Sequence, residues 1–143
     1  MPNPETKIQS NILAAIGTMP GVAVWRSAVG NGWVRTKEGF KPMRFGGRAG
    51  QADIIGCYWG LYFEIEVKTA SGRQRPEQKD RQSAIEAAGG CYILARSVDD
   101  ALEGMRRLAA KLPTHLLQVP QSGAIRSLPV GAAEGPLSVW ARR

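Results

Sequence analysis

The sequence predicts an α/β domain in which a mixed sheet is flanked by helices. Three observations lead there. Two strand-like runs, 52–57 and 61–68, are separated by so short a link around Trp59-Gly60 that they read as an antiparallel hairpin. A helical stretch over 76–88 then leads into the apolar run 91–95, and a strand–helix–strand order implies a right-handed parallel crossover. Amphipathic helices stand near both ends of this region.

The elements follow in order. Residues 4–17 place Ile8, Ile12, Leu13 and Ile16 on one helical stripe. Gly21 restarts the chain, and a strand is expected from Val22 to about Val29. Gly30-Asn31-Gly32 is a turn signal. Trp33-Val34-Arg35 and Met43-Arg44-Phe45 are expected to flank a second hairpin, with Lys37 to Lys41 at its tip. The glycine-rich segment 46–50 leads to the strand of Asp53. Over 61–68 the pattern has period two, so Phe63, Ile65 and Val67 face one side and Glu64, Glu66 and Lys68 the other. Pro76 suits the first position of a helix that Gly89-Gly90 ends. Ser97 and Asp100 resemble a capping pair for a last helix, whose Val98, Ala101, Leu102, Met105, Leu108 and Leu112 share a face before Pro113. One domain over 1–113 is expected. Residues 114–143, rich in Gly, Pro, Ser and Ala, read as a C-terminal extension, either mobile or docking on a partner through Trp140.

Composition narrows the function. The 143 residues, 43% of them hydrophobic, suffice for one soluble domain. No run approaches the length of a membrane span and no secretory leader is visible, so a cytoplasmic protein is expected. Cys57 and Cys91 read as buried reduced thiols. With a single histidine, His115, no His/Cys zinc site can be assembled, and His115 itself reads as a surface or linker residue. A net charge of +7 implies an anionic partner, most commonly nucleic acid.

The chemistry lies in the first hairpin. If Trp59 and Gly60 form a two-residue loop, Tyr58 opposes Leu61, and counting outward sets Asp53 opposite Glu66 on one face. Facing carboxylates repel, so the pair calls for a counter-ion, and a hard divalent cation, Mg²⁺ or Mn²⁺, fits oxygen ligands best. Lys68, one step further along the same face, can orient an attacking water and stabilise developing phosphorane charge. Otherwise it balances the acids' charge. Glu64 shares their face and either assists the metal site or, as the favoured expectation, points to solvent near the strand start. From the residues alone, Gln78 is a polar helix position.

Gly50-Gln51-Ala52-Asp53-Ile54-Ile55-Gly56, then Glu66-Val67-Lys68-Thr69, then Gln78 on the next helix, resembles the PD-(D/E)XK nuclease superfamily. Within it, the chain looks like the virus-type replication-repair nucleases, the VRR-NUC family. The first helix with Glu5, Trp25-Arg26 before a glycine-rich turn, and Gly89-Gly90-Cys91-Tyr92 extend the likeness over about residues 4–110. The resemblance implies a restriction-endonuclease-like sheet in the order α-β-β-β-α-β-α. It makes Asp53 and Glu66 metal-binding carboxylates, Lys68 the catalytic lysine and Gln78 its helical companion. It also implies that the Val67 carbonyl joins the metal shell and that Glu5 approaches the metal. Ala52 stands where the superfamily motif has proline, and the segment after Pro113 has no counterpart.

Basic residues form two clusters expected to hold phosphates. Arg35, Lys37, Lys41, Arg44 and Arg48 follow the second hairpin, with Arg26 before it; Arg73, Arg75, Lys79 and Arg81 follow Lys68. No zinc finger, helix-turn-helix or aromatic stacking ladder is legible, so recognition by shape is expected. The reading is a Mg²⁺-dependent endonuclease for branched DNA of the Holliday-junction type, working as a homodimer. A flap or restriction-type nuclease, a non-catalytic DNA-binding module and an interaction protein using Trp140 are the alternatives.

Overall fold

The computed structural model describes residues 3–114. The elements run α1 (Pro4–Ile16), β1 (Val22–Arg26), β2 (Gly30–Thr36), β3 (Gly39–Phe45), β4 (Ile54–Tyr58), β5 (Leu61–Val67), α2 (Pro76–Ala87), β6 (Cys91–Ala95) and α3 (Val98–Ala109). β1, β4, β5 and β6 form one sheet in that spatial order, antiparallel except for the parallel pair β5–β6. β2 and β3 form a hairpin of their own. The mixed sheet with flanking helices is therefore present. The full order is α-β-β-β-β-β-α-β-α, two strands more than expected, because β2 and β3 stand outside the main sheet.

Local signals account for most boundaries. Asn3 caps α1 by accepting the Glu5 N–H at 3.1 Å, with Pro4 following at a position that needs no donor. Trp59 (φ 47°) and Gly60 (φ 88°) are both left-handed, as a two-residue hairpin turn with the twist of its strands requires. That turn sets Tyr58 opposite Leu61, and the ladder runs back to Ile54 opposite Ile65. In α3, Ser97 Oγ accepts the Asp100 N–H at 3.1 Å. Asp100 Oδ2 answers one residue earlier than a capping box would, accepting from Arg96 N–H at 2.8 Å.

The core lies on one side of the main sheet. Ile54, Phe63, Ile65, Val67, Ile93 and Ala95 meet Ile12 and Ile16 of α1 and Ala101, Met105 and Leu108 of α3. α2 lies on the opposite face, over Glu64 and Glu66. Its start is pressed by the loop returning from the hairpin. Gly50 sits at φ +77°, and a Cβ there would fall 2.0 Å from the Glu77 carbonyl oxygen, so only a bare peptide fits.

Several expectations need correction. β1 ends at Arg26 rather than Val29, where Ser27 N–H turns to the Asp53 carbonyl at 2.7 Å. Gly30-Asn31-Gly32 is extended strand, not a turn. Gly30 pairs with Phe45 and Gly32 with Met43, and the Phe45 ring occupies the space of the missing Gly32 side chain. Thr36 pairs with Gly39, which narrows the hairpin tip to Lys37-Glu38. Cys57 and Cys91 are free thiols but only half-buried. Among the described residues no helix is long and apolar enough to cross a membrane. His115, Trp140 and the extension beyond Thr114 lie outside the described residues.

Candidate active site

Period-two alternation sends Glu64 and Glu66 to the face that α2 covers, where they are 0% and 2% exposed. Asp53 stands one step beyond the last ladder pair, which places it across from Glu66. Its Oδ2 accepts the Val67 N–H at 2.8 Å, tying the acid to the end of β5. The two carboxylates thus share a face, as counting from the turn predicts.

Glu66 is held on one side only. Its Oε1 accepts from Lys68 Nζ at 2.6 Å and from Gln78 Nε2 at 2.5 Å. Its Oε2 is buried and has no hydrogen-bond partner among the described residues. Such an atom is costly unless something compensates it. Burial raises the Glu66 carboxyl above its usual range, against the Lys68 hydrogen bond, and the charge of Asp53 raises it further. Asp53 is raised as well, by burial first, against the Val67 N–H and the charge of Lys68.

Gln78 is not the polar surface residue its local sequence suggests. It is 3% exposed, because its carboxamide spans from α2 to the sheet. Its Oε1 accepts the Arg75 N–H at 2.8 Å while its Nε2 reaches Glu66. The helix start and the acid are thereby fixed relative to each other.

Glu64 corrects an expectation outright. It does not point to solvent but is fully enclosed. Its carboxylate receives the Arg81 guanidinium through Nε at 3.0 Å and through Nη2, and the Tyr62 hydroxyl at 2.8 Å. It also accepts the Ala52 N–H at 3.3 Å, next to Asp53. Arg81 is accordingly a structural partner rather than a free phosphate contact.

The remaining candidates are spread out. Glu5 sits in the first turn of α1, near enough for its charge to raise Asp53. Among the described residues, however, no group of three or more His, Cys, Asp or Glu side chains could hold a metal. Val67 gives its N–H to Asp53 and its side chain to the core. Arg26 bonds Ser10 Oγ at 3.2 Å and its charge opposes the rise of Asp53. Arg35 and Arg44 lie on one face of the hairpin and Lys41, paired with Glu38 at 3.3 Å, on the other. Arg48, Arg73, Arg75 and Lys79 are exposed.

Sequence reading missed Tyr62, Tyr92 and Arg96. Arg96 donates to the Thr69 and Ala70 carbonyls, pinning the loop after Lys68. Tyr92, in register with Glu64, has a buried hydroxyl without a hydrogen-bond partner among the described residues and an ionisation pushed up by burial and then by the charge of Glu66. Their one legible signal was the parallel pairing of 63–67 with 91–95, which sets Tyr92 beside the acidic residues.

The donor set is two hard carboxylates, one with an uncompensated buried oxygen. Hard oxygen donors of this kind are those a divalent cation prefers, and Asp53 and Glu66 are the residues that could hold one. Tested against known proteins, the chain matches no family model, and a search of curated proteins finds no similar sequence.

Proposed function

We propose that this chain is a metal-dependent DNA endonuclease of the VRR-NUC type that cuts branched DNA. The observation that carries the reading is the buried Oε2 of Glu66, left unpartnered on a carboxylate whose other oxygen Lys68 and Gln78 clamp. Asp53 and Glu66 are the residues that would hold the cation. When bound, Mg²⁺ or Mn²⁺ would supply a more acidic water and offset charge on the scissile phosphate.

The chain's own groups do the rest. Gln78 keeps Glu66 from rotating, and the Val67 N–H keeps Asp53 beside it. Lys68 holds its ammonium at the mouth of the acidic pair, where it can orient water and meet charge developing on phosphate oxygens. Arg73, Arg75 and Lys79, exposed around the start of α2, offer phosphate contacts beside it. The preference for branched substrates and the homodimer with paired sites rest on the family resemblance; two sites related by a two-fold axis suit cuts on opposite strands.

A cleavage assay on a four-way junction, a flap and a linear duplex, each with Mg²⁺, Mn²⁺ or chelator, tests the reading. Metal-dependent nicking of the junction, lost in Asp53→Ala, Glu66→Ala and Lys68→Ala, is the expected result. Cutting only of the flap or the duplex would reassign the substrate. Tight binding with no cleavage in any metal would leave a DNA-binding module.

A further inference from the structure

The hairpin β2–β3 stands apart from the chemistry just described, and it carries apolar side chains that no other element among the described residues covers. It pairs with no strand of the main sheet, and every residue of β3 is exposed. An isolated two-stranded hairpin is marginal in water, so large rings on its surface call for an occupant. The register puts Trp33 opposite Pro42 and Arg35 opposite Phe40, with Asn31 and Arg44 next along the same face. Trp33 is 68% exposed and Phe40 69%. Two aromatic residues and two arginines therefore share one surface.

That surface leads to the start of α2, the helix that carries Gln78. Asn31 and Arg44 line a cleft of about 330 Å³ whose far wall includes Gly50, Arg75 and Glu77. Glu77 immediately precedes Gln78, the residue that holds Glu66. A ligand following this face inward passes from exposed rings, between Arg44 and Arg75, to the start of α2.

Charge selects the occupant. Residues 30–48 carry Arg35, Lys37, Lys41, Arg44 and Arg48 against Glu38 alone, and Glu38 already pairs with Lys41. A second copy docked by two-fold symmetry would set the arginines of this face against one another. Phosphates of a duplex would explain the arginines but give the rings nothing to stack on. Unpaired nucleotides present both an anionic backbone and open base faces.

We propose that this face docks the unpaired segment of a branched nucleic acid. Trp33 and Phe40 stack on its bases, and Arg35, Arg44 and Arg75 hold its phosphates on the way to Glu66. The inference rests on the endonuclease reading for what happens at the inner end, but its binding step is testable alone.

The test is fluorescence anisotropy of the full chain with labelled oligothymidylate of about 16 nucleotides, beside a blunt duplex, with chelator present so that no cutting intervenes. Trp33→Ala and Phe40→Ala are expected each to weaken single-strand binding about tenfold and to leave duplex binding within about twofold. Trp33→Tyr, which keeps a ring, is expected to restore most of the loss. Arg44→Ala is expected to weaken both ligands and to lower the salt slope by about one. Unchanged single-strand affinity in both ring variants, with circular dichroism showing them folded, overturns the proposal. So does a change in sedimentation without a change in binding, which would assign the face to a second copy. A chain that binds in this way yet cuts no DNA refutes the endonuclease reading alone. One that cuts junctions while Trp33→Ala binds thymidylate normally refutes only the docking face.

Discussion

Glu64 and Glu66 stand two residues apart on one strand, on one face and under one helix, yet their surroundings are opposite. Glu64 accepts hydrogen bonds from Arg81, Tyr62 and the Ala52 N–H, so both its oxygens are engaged. Glu66 has Lys68 and Gln78 on a single oxygen and, among the described residues, nothing on the other, with Asp53 alongside. An enclosed acid is therefore not in itself a sign of chemistry. The sign is an acid whose bonding capacity the protein leaves incomplete while a like charge is kept close.

The sharpest way to break this contrast is to neutralise each acid in turn. Glu66→Gln is expected to lower single-turnover nicking on the order of 10³-fold, the several kcal/mol that a bound cation contributes. Glu64→Gln is expected to leave the rate of the folded protein within about tenfold, since Glu64 acts only by positioning Ala52 and α2. Equal losses in the two variants would erase the distinction.

Stability should rank them the other way. Arg81→Met strands Glu64 as a buried charge and is expected to cost about 3 to 5 kcal/mol in urea unfolding. Glu66→Gln is expected to cost little or to stabilise the metal-free protein, because it removes an acid held above its usual pKa.

The pH dependence follows in sign. A carboxyl whose folded pKa is raised adds stability that is full below its unfolded pKa and is lost as pH rises through the folded one. Metal-free stability is thus expected to fall from the ordinary carboxylate range toward neutral pH, less steeply in Glu66→Gln than in the native chain. Mg²⁺ is expected to reverse that fall by about 2.7 kcal/mol at a hundredfold excess over its Kd, as read by thermal melts. The same melts on Glu66→Gln should show no Mg²⁺ response.

The smallest effect concerns the turn that aligns the acids. Gly60→Ala puts a side chain at φ 88° and is expected to cost about 1 kcal/mol, with cleavage by the folded protein unchanged.

Much of this was legible in the residues because a two-residue turn converts register into counting. Once Trp59-Gly60 is the loop, Asp53 must face Glu66. The helices 4–16 and 98–109 announce themselves through their apolar stripes, the latter also through Ser97, and 76–87 through Pro76. Glu64 was misjudged because alternation gives its face but not its cover. Arg81 reaches it only after a crossover brings α2 back, and nothing local to residue 64 encodes that return. The hairpin's rings were invisible as a group for a related reason. Trp33 and Phe40 are seven positions apart, and only the true tip at Lys37-Glu38, rather than one spanning Lys37 to Lys41 with Phe40 inside it, brings them to one side.

The close approach at Gly50 has a consequence for how such a molecule can change. The loop returning from the β2–β3 arm rests a bare peptide at Gly50 on the peptide before Gln78. An arm of another length or composition could be grafted in without disturbing the pocket, provided the graft came home through that same unencumbered joint. The arm is in this sense an exchangeable cassette, and position 50 is its socket.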